Sequence, residues 1–257
     1  MSKPVVVITG ASKGIGLAVT RSLLEEHNAI VVALSRTRTP ELDALFAANS
    51  HTLLVVECDV TDEEALTQAI SLAEKEYHRI DGLILNAATL DPLGRIDNAD
   101  NGLDGWKRHF DVNFFSLLTA LKAALPALRK SNPGKVIFIS SGAATGHIPG
   151  WAAYNASKAA MNSLSRTLAK EEPGIVSLAL APGKVDTDMQ GKLRESGAPH
   201  MTDKDHQIFV DAYEQGTLVK PYDVGYVIAG LSLGAPLSLS GQFVRWDEEE
   251  CKDFRRR

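Results

Sequence analysis

Apolar positions along the chain come in short unbroken runs, separated by stretches in which apolar residues recur every three or four positions. The first run, Val5–Thr9, is rich in β-branched residues and leads through a glycine-bearing turn into an amphipathic stretch over 15–26. That order predicts strand, turn, helix. It repeats as strand 29–34 with helix 40–48, strand 52–58 with helix 62–77, strand 82–86 with helix 104–128, strand 135–140 with helix 154–170, and a last strand over 175–181. Thr61-x-x-Glu64 predicts a capping box at the start of the third helix. Strands that are apolar throughout, rather than alternating, are covered by helices on both faces. The expected fold is α/β: a single Rossmann-type doubly wound parallel sheet with helices on both faces and right-handed crossovers. With no low-complexity linker and no solenoid repeat, residues 1–257 read as a single domain.

Two segments break the alternation. Residues 90–102 (LDPLGRIDNADNG) are polar and turn-rich, and residues 186–216 carry only short, weak helical patterns and read as a substrate-loop excursion. Both follow carboxyl ends of predicted strands, the edge on which open α/β sheets bind ligands.

Composition narrows the function. A net charge of −5 argues against a surface that neutralises nucleic-acid phosphates or anionic lipid, and the terminal Arg255-Arg256-Arg257 reads as a solvated tail. The two cysteines, Cys58 and Cys251, offer no metal-ligand spacing, and the seven histidines form no His-x-x-x-His pair, so no metal site is expected. The amino terminus lacks a secretory pattern and no run approaches eighteen apolar residues, which points to a cytoplasmic protein with no membrane partner.

The turn TGASKGIG (9–16) carries Gly10, Gly14 and Gly16 between a strand and a helix, where backbone amides at the helix start attract a phosphate. The spacing is G-x-x-x-G-x-G, and a glycine trio alone also serves as a plain tight turn. About twenty residues on, where an NAD site carries an acid for the ribose 2′-hydroxyl, the chain reads Leu34-Ser35-Arg36-Thr37-Arg38. Arg36, with Lys13 in the turn and no carboxylate beside them, favours a 2′-phosphate and hence NADP(H). Arg38 fits a solvated loop charge better. Asp59, before Val60 at the end of the third strand, is placed to accept from an adenine amino group or to cap the next helix. Asn86-Ala87-Ala88 closes the fourth strand with small residues that admit a ribose beside the backbone.

Tyr154 and Lys158 stand one helical turn apart, a spacing that chance alone often supplies, but Ser140-Ser141 end the preceding strand on the ligand edge. A phenol of pKa near 10 is a serviceable acid at neutral pH, and a neighbouring ammonium lowers that pKa by roughly 1–3 units. A serine hydroxyl hydrogen-bonds a carbonyl oxygen as charge develops on it, and the phenol protonates that oxygen. The hydride belongs to a nicotinamide.

Together TGASKGIG, Asn86-Ala87, Asn113 within FDVNFFS, Ser141, Tyr154-x-x-x-Lys158 and PGKVDT (182–187) resemble the short-chain dehydrogenase/reductase family across essentially the whole chain. Within it, LAKEEPGIVSLALAPGKVDTDMQ and LSGQFVRWDEEE look most like the sepiapterin reductase and benzil reductase branch. The resemblance implies Ser141, thirteen residues before Tyr154, as the catalytic serine, Tyr154 as acid/base, Lys158 as ribose ligand and tuner of the tyrosine, and Asn113 as holder of a relay water. It implies Gly10, Ser12, Lys13, Gly14, Ile15, Gly16, Arg36, Asp59, Val60, Asn86, Ala87, Tyr154 and Lys158 around the dinucleotide, with Pro182, Gly183, Val185 and Thr187 on the nicotinamide amide. A homodimer or homotetramer is implied too. Ala88 stands where the family usually has glycine, and Arg245 where sepiapterin reductases anchor the pterin with an aspartate. Asp247 nearby reads as a surface charge, and Trp151, Met189 and Leu193 read as an apolar wall or as lid packing. The expected activity is NADPH-dependent reduction of a small-molecule ketone or vicinal dicarbonyl. A non-catalytic NADPH-sensing protein, and an alcohol dehydrogenase acting on a steroid, sugar or acyl-carrier substrate, are the alternatives.

Overall fold

The computed structural model describes residues 3–97 and 102–256. Its elements in chain order are β1 (Val5–Thr9), α1 (Gly14–Glu25), β2 (Ile30–Ser35), α2 (Pro40–Ala48), β3 (Leu53–Glu57), α3 (Glu63–Tyr77), β4 (Gly82–Leu85), α4 (Leu103–Phe110), α5 (Ser116–Leu128), β5 (Gly134–Ile139), α6 (Ala152–Glu171), β6 (Ile175–Ala181), α7 (Asp188–Ser196), α8 (Asp203–Glu214), α9 (Pro221–Gly234) and β7 (Phe243–Arg245). The strands form one parallel sheet in the order β3-β2-β1-β4-β5-β6-β7.

Alternate side chains of each strand feed two different cores. Val6, Ile8, Val31 and Ala33 pack on one face with Leu42, Val227 and Leu231, whereas Val5, Val7, Val32 and Leu34 pack on the other with Leu66, Ile70, Leu121 and Met161. Both faces are therefore dry, which is why the strands read as unbroken apolar runs. The chain leaves β1 toward β2 and β3, then returns to the other side of β1 as β4. Between β1 and β4 lies the switch point, a crevice at the carboxyl ends of the strands.

Several expectations need correction. The 104–128 helix is not regular: α4 and α5 are joined by a π-helical turn over Asp111–Phe115. By length and composition this stretch is apolar enough to cross a membrane, but α5 packs Leu117, Leu121 and Leu128 into the core. The capping box does not form, because Asp62 rather than Thr61 caps α3, its carboxylate accepting from Ala65 N at 2.9 Å. Residues 186–216, expected to carry only short helical patterns, contain the two short helices α7 and α8. Two elements have no counterpart in the expected order: α9, a helix of buried small and apolar residues against α1, and the three-residue β7. Nor is Arg256 solvated tail: its guanidinium lies over the Tyr222 ring at 3.9 Å and the Tyr226 ring at 4.7 Å, and donates to Glu26. In the loop expected over 90–102, residues 98–101 lie outside the described residues, as does Arg257.

The amino-terminal edge is pinned by one carboxylate. Asp81 accepts from Val5 N, from the Arg79 guanidinium and from Ser131 Oγ, each at 2.7–2.8 Å. Desolvation pushes its pKa up, but the bonds from Arg79, Val5 and Ser131 outweigh it and leave it below the ordinary value. Its stabilisation is therefore complete above about pH 3.9 and lost as pH falls through the folded pKa. Asp81→Ala, which strands these donors, should lower the unfolding free energy by about 2 kcal/mol at neutral pH and flatten the acid limb of a urea-midpoint profile.

Candidate active site

The glycine turn is built for close approach. Gly10 and Gly14 take φ of +68° and +54°, and a Cβ on Gly16 would stand 2.1 Å from the Gly10 carbonyl oxygen. Helix α1 thus starts tight against the turn. Its first turn carries no acid, and Lys13 at its N-cap makes no side-chain cap bond, so amides at the helix start are left facing outward. A small cradle, free amides and the positive end of a helix dipole fit a phosphate. Asn86 ties the two sides of the crevice, donating from Nδ2 to Thr9 O at 2.9 Å and Gly10 O at 3.0 Å, while Thr9 Oγ1 accepts from Asn86 N and Ala87 N. It is therefore a clamp on the turn rather than an ordinary loop asparagine.

Of the two arginines after β2, Arg38 is paired with Asp43 at 2.6 Å and covers Phe46. Arg36 is exposed and makes no ion pair among the described residues. Lys13 is paired with Asp188 Oδ2 at 2.7 Å, which ties the glycine turn to α7. Ser12 is buried and its carbonyl accepts from Thr39 Oγ1 at 2.8 Å. Asp59 is exposed, its Oδ1 accepting from Thr61 N and Thr61 Oγ1, so it closes the turn before α3 without capping it; Val60 beside it is buried. Beyond β6, Pro182 is buried and Gly183 turns at φ +80°. Val185 bridges to Val219, and Thr187 lies over Gly14, 3.1 Å from where its Cβ would be; Ile15 is half-buried beside it in sequence. The loop after β6 and the glycine turn therefore face each other.

At the other end of the crevice the serine pair separates. Ser140 Oγ donates to Asn162 Oδ1 at 2.6 Å in the core, whereas Ser141 shares a hydrogen bond with the Tyr154 hydroxyl and accepts from Ala143 N. Lys158 is buried, donates to Ile139 O at 2.7 Å and holds its Nζ 5.6 Å from the Tyr154 ring centroid. Asn113, in the π-helical turn, sets its amide against the Thr89 backbone: Oδ1 accepts from Thr89 N at 2.8 Å and Nδ2 donates to Thr89 O at 2.9 Å. That side chain ties the π-helical turn to the chain leaving β4. π-Turns interrupt helices at functional sites often enough to make this one notable.

Burial dominates both ionisable groups. Burial pushes the Tyr154 phenol up to about 12, the Ser141 hydrogen bond opposing, and burial brings the Lys158 ammonium down to about 7. Desolvation is the largest cause of both shifts. Tyr154 is thus firmly protonated at neutral pH.

One buried group escaped the motif reading. His109 sits four residues before Asn113 on the same helical face, with Nδ1 2.6 Å from Asp91 O and Nε2 2.9 Å from Ser157 Oγ and 3.0 Å from Asn113 Nδ2. The i, i+4 spacing was the available signal. Around Tyr154, Trp151 packs edge-on at 5.8 Å and also meets Phe209 at 5.3 Å, in a cluster with Leu90, Leu93, Leu193 and Met201. Trp151 and Leu193 are buried in this cluster, and Met189 packs against it partly buried. Arg245 and Asp247 pair with each other at 3.1 Å on the surface.

A phosphate cradle, a crevice at the switch point and a buried phenol between a hydroxyl and a lysine define a dinucleotide-dependent oxidoreductase. The short chain dehydrogenase profile matches residues 4–198, and the chain belongs to that family. It is 42% identical over 246 residues to an uncharacterized oxidoreductase of Schizosaccharomyces pombe, covering 95% of this chain and 97% of that one. It is 37% identical over 256 residues to a benzil reductase ((S)-benzoin forming) of Saccharomyces cerevisiae, covering 95% and 96%. A solved short chain dehydrogenase/reductase from Saccharomyces cerevisiae superposes with a TM-score of 0.93 at 33% identity, over 98% of this chain and 100% of the other.

The depressed Lys158 pKa has a consequence for stability. An unfolded lysine titrates near 10.4, so between about 7 and 10.4 the unfolded chain holds the extra proton and stability rises with pH. The Tyr154 window lies higher, from about 10 to 12, and has the opposite sign. Urea midpoints at about pH 7 and 9 should diverge more in the wild type than in Lys158→Met, and equal changes in the two would refute this account of the buried ammonium.

Proposed function

We propose that the chain is an NADPH-dependent carbonyl reductase acting on a ketone or vicinal dicarbonyl, with Tyr154 as the proton donor. The observation that carries this reading is the Tyr154 phenol, buried, protonated and hydrogen-bonded to Ser141 at the end of the crevice. A bound nicotinamide supplies the hydride. Ser141 holds the carbonyl oxygen beside the phenol, and Tyr154 gives that oxygen its proton as the C–O bond becomes an alcohol. Lys158 approaches the ring from inside and supports the phenolate left behind. Gly10, Gly14 and Gly16 admit the pyrophosphate, and Arg36 meets a ribose 2′-phosphate with an unpaired guanidinium.

The apolar cluster of Trp151, Leu193, Met201 and Phe209 suits an aromatic dicarbonyl such as benzil. Sepiapterin is the weaker substrate of the pair: Arg245 stands at the pterin-anchoring position and Asp247 is spent on it. Burial of both thiols, Cys58 and Cys251, is consistent with a reducing, cytoplasmic setting. A second copy of the chain is the proposed cover for Leu103, Trp106, Phe110 and Phe115, which line a shallow 430 Å³ cavity on α4 and the π-turn with Leu103 and Phe115 well exposed.

Absorbance at 340 nm with benzil, sepiapterin and simple ketones should show faster oxidation of NADPH than of NADH, with benzil the best of the three. Tyr154→Phe should cut turnover by about 10²-fold or more while NADPH still binds. Arg36→Asp should cost roughly 10- to 100-fold with NADPH and little with NADH. No absorbance loss with any carbonyl would sink the reductase reading. Light scattering should give a dimer or tetramer, and Phe115→Glu should shift it toward monomer.

A further inference from the structure

The Asn113 amide cannot be flipped. Thr89 N–H has to face an oxygen and Thr89 C=O a nitrogen, which fixes Oδ1 and Nδ2 and turns the second Nδ2 proton toward His109 Nε2, 3.0 Å away, with Ser157 Oγ at 3.3 Å as the longer partner; a protonated Nε2 would meet the amide N–H head on. Nε2 is therefore an acceptor. The opposite ring nitrogen, Nδ1, lies 2.6 Å from the Asp91 carbonyl, which can only accept, so Nδ1 carries the proton. An imidazolium would turn an N–H toward the Asn113 amide protons. Both tautomer and charge follow from backbone groups on either side of the ring.

The surroundings agree. His109 is buried, and burial first, then the Lys158 ammonium, hold its pKa below the ordinary histidine value against the Asp91 carbonyl and carboxylate. Its ring stands edge-on to Tyr154 at 6.1 Å. The Ser157 hydroxyl, directly before Lys158 on α6, lies 2.9 Å from Nε2 and donates to the Tyr154 carbonyl oxygen at 2.9 Å.

We propose that His109 is a positioning residue: as the Nδ1–H tautomer it locks the Asn113 amide onto Thr89 and the Ser157 hydroxyl under Tyr154, and so fixes the phenol relative to the chain leaving β4. It touches no reacting atom. Its effect passes through Asn113 and Ser157, joining three segments distant in sequence (89–91, 109–113 and 154–158). The proposal rests on the reductase reading for its kinetic consequence, though not for its chemistry.

Two measurements test it. In 15N-histidine NMR of the wild-type protein at neutral pH, His109 should show a protonated Nδ1 and an unprotonated Nε2; an Nε2–H tautomer or an imidazolium overturns the proposal. In benzil reduction, His109→Leu should lower kcat by at least about tenfold with KM little changed, because a misplaced acid slows chemistry more than binding. His109→Gln, whose carbonyl reaches the Nε2 position, should recover most of that loss. His109→Asn, which reaches only the Nδ1 position, should not. A Leu variant as fast as wild type, or rescue by Asn instead of Gln, overturns the proposal by making His109 inert or a tie to Asp91 alone. Absence of carbonyl turnover in the wild type would sink the reductase reading and leave the NMR result to decide the tautomer.

Discussion

A lysine ammonium buried beside a phenol is the constraint on which the site depends. Its one short hydrogen bond goes to the Ile139 carbonyl, at the carboxyl end of β5, with the Met161 sulfur 3.9 Å away as a weak second partner. A cation so poorly compensated relaxes by losing its proton, and the pKa near 7 expresses that. The carbonyl that holds it is available because β5 stops there, and β5 stops because Ser140-Ser141 turn the chain out of the sheet. Strand end, serine and lysine are one arrangement, and the parallel sheet places it on the same edge as the glycine turn.

Much of this was legible in the sequence because it is local. Six of the seven strands coincide with apolar runs, readable for the inner strands because both faces are covered; β3, at the sheet edge, is only partly buried and ends on the exposed Glu57. Ser141 rather than Ser140, and Arg36 rather than Arg38, were separable by spacing, and the structure gives the discarded member of each pair another partner: Asn162 for Ser140, Asp43 for Arg38. What stayed hidden depends on distant partners. α9 is apolar nearly all round because it lies between α1 and the sheet, so it has no helical period to detect, and β7 has three residues. The burial of Tyr154 and Lys158 is hidden for the same reason, because the residues that desolvate them come from distant parts of the chain.

The helices α7 and α8 show which forces hold the segment over the crevice. Two exposed ion pairs strap α7 to its neighbours, Lys13 to Asp188 and Lys192 to Asp91, the latter at 2.6 Å. Such pairs contribute about 0–1 kcal/mol each and are screened by salt. The apolar cluster is the stronger tie: fully burying one large apolar side chain is worth roughly 1.5–3 kcal/mol, and Leu193, Met201 and Phe209 all pack with Trp151 and Tyr154. The segment is thus seated by the same side chains that wall the phenol, so the shape of the substrate space and the position of the lid are set together.

That comparison also resolves the double use of Lys13. Its ammonium faces Asp188 across open solvent, where both partners are more than two-thirds exposed, so the pair is weak and easily exchanged. A charge-assisted bond to phosphate contributes about 1.5–3 kcal/mol, more than the ion pair it would replace. A cofactor carrying a 2′-phosphate near Lys13 therefore releases Asp188 rather than competing with it on equal terms, and the strap from the glycine turn to α7 loosens while the apolar cluster keeps the helix in place. Arg36 makes no ion pair among the described residues, so an anion meeting it would displace no such partner.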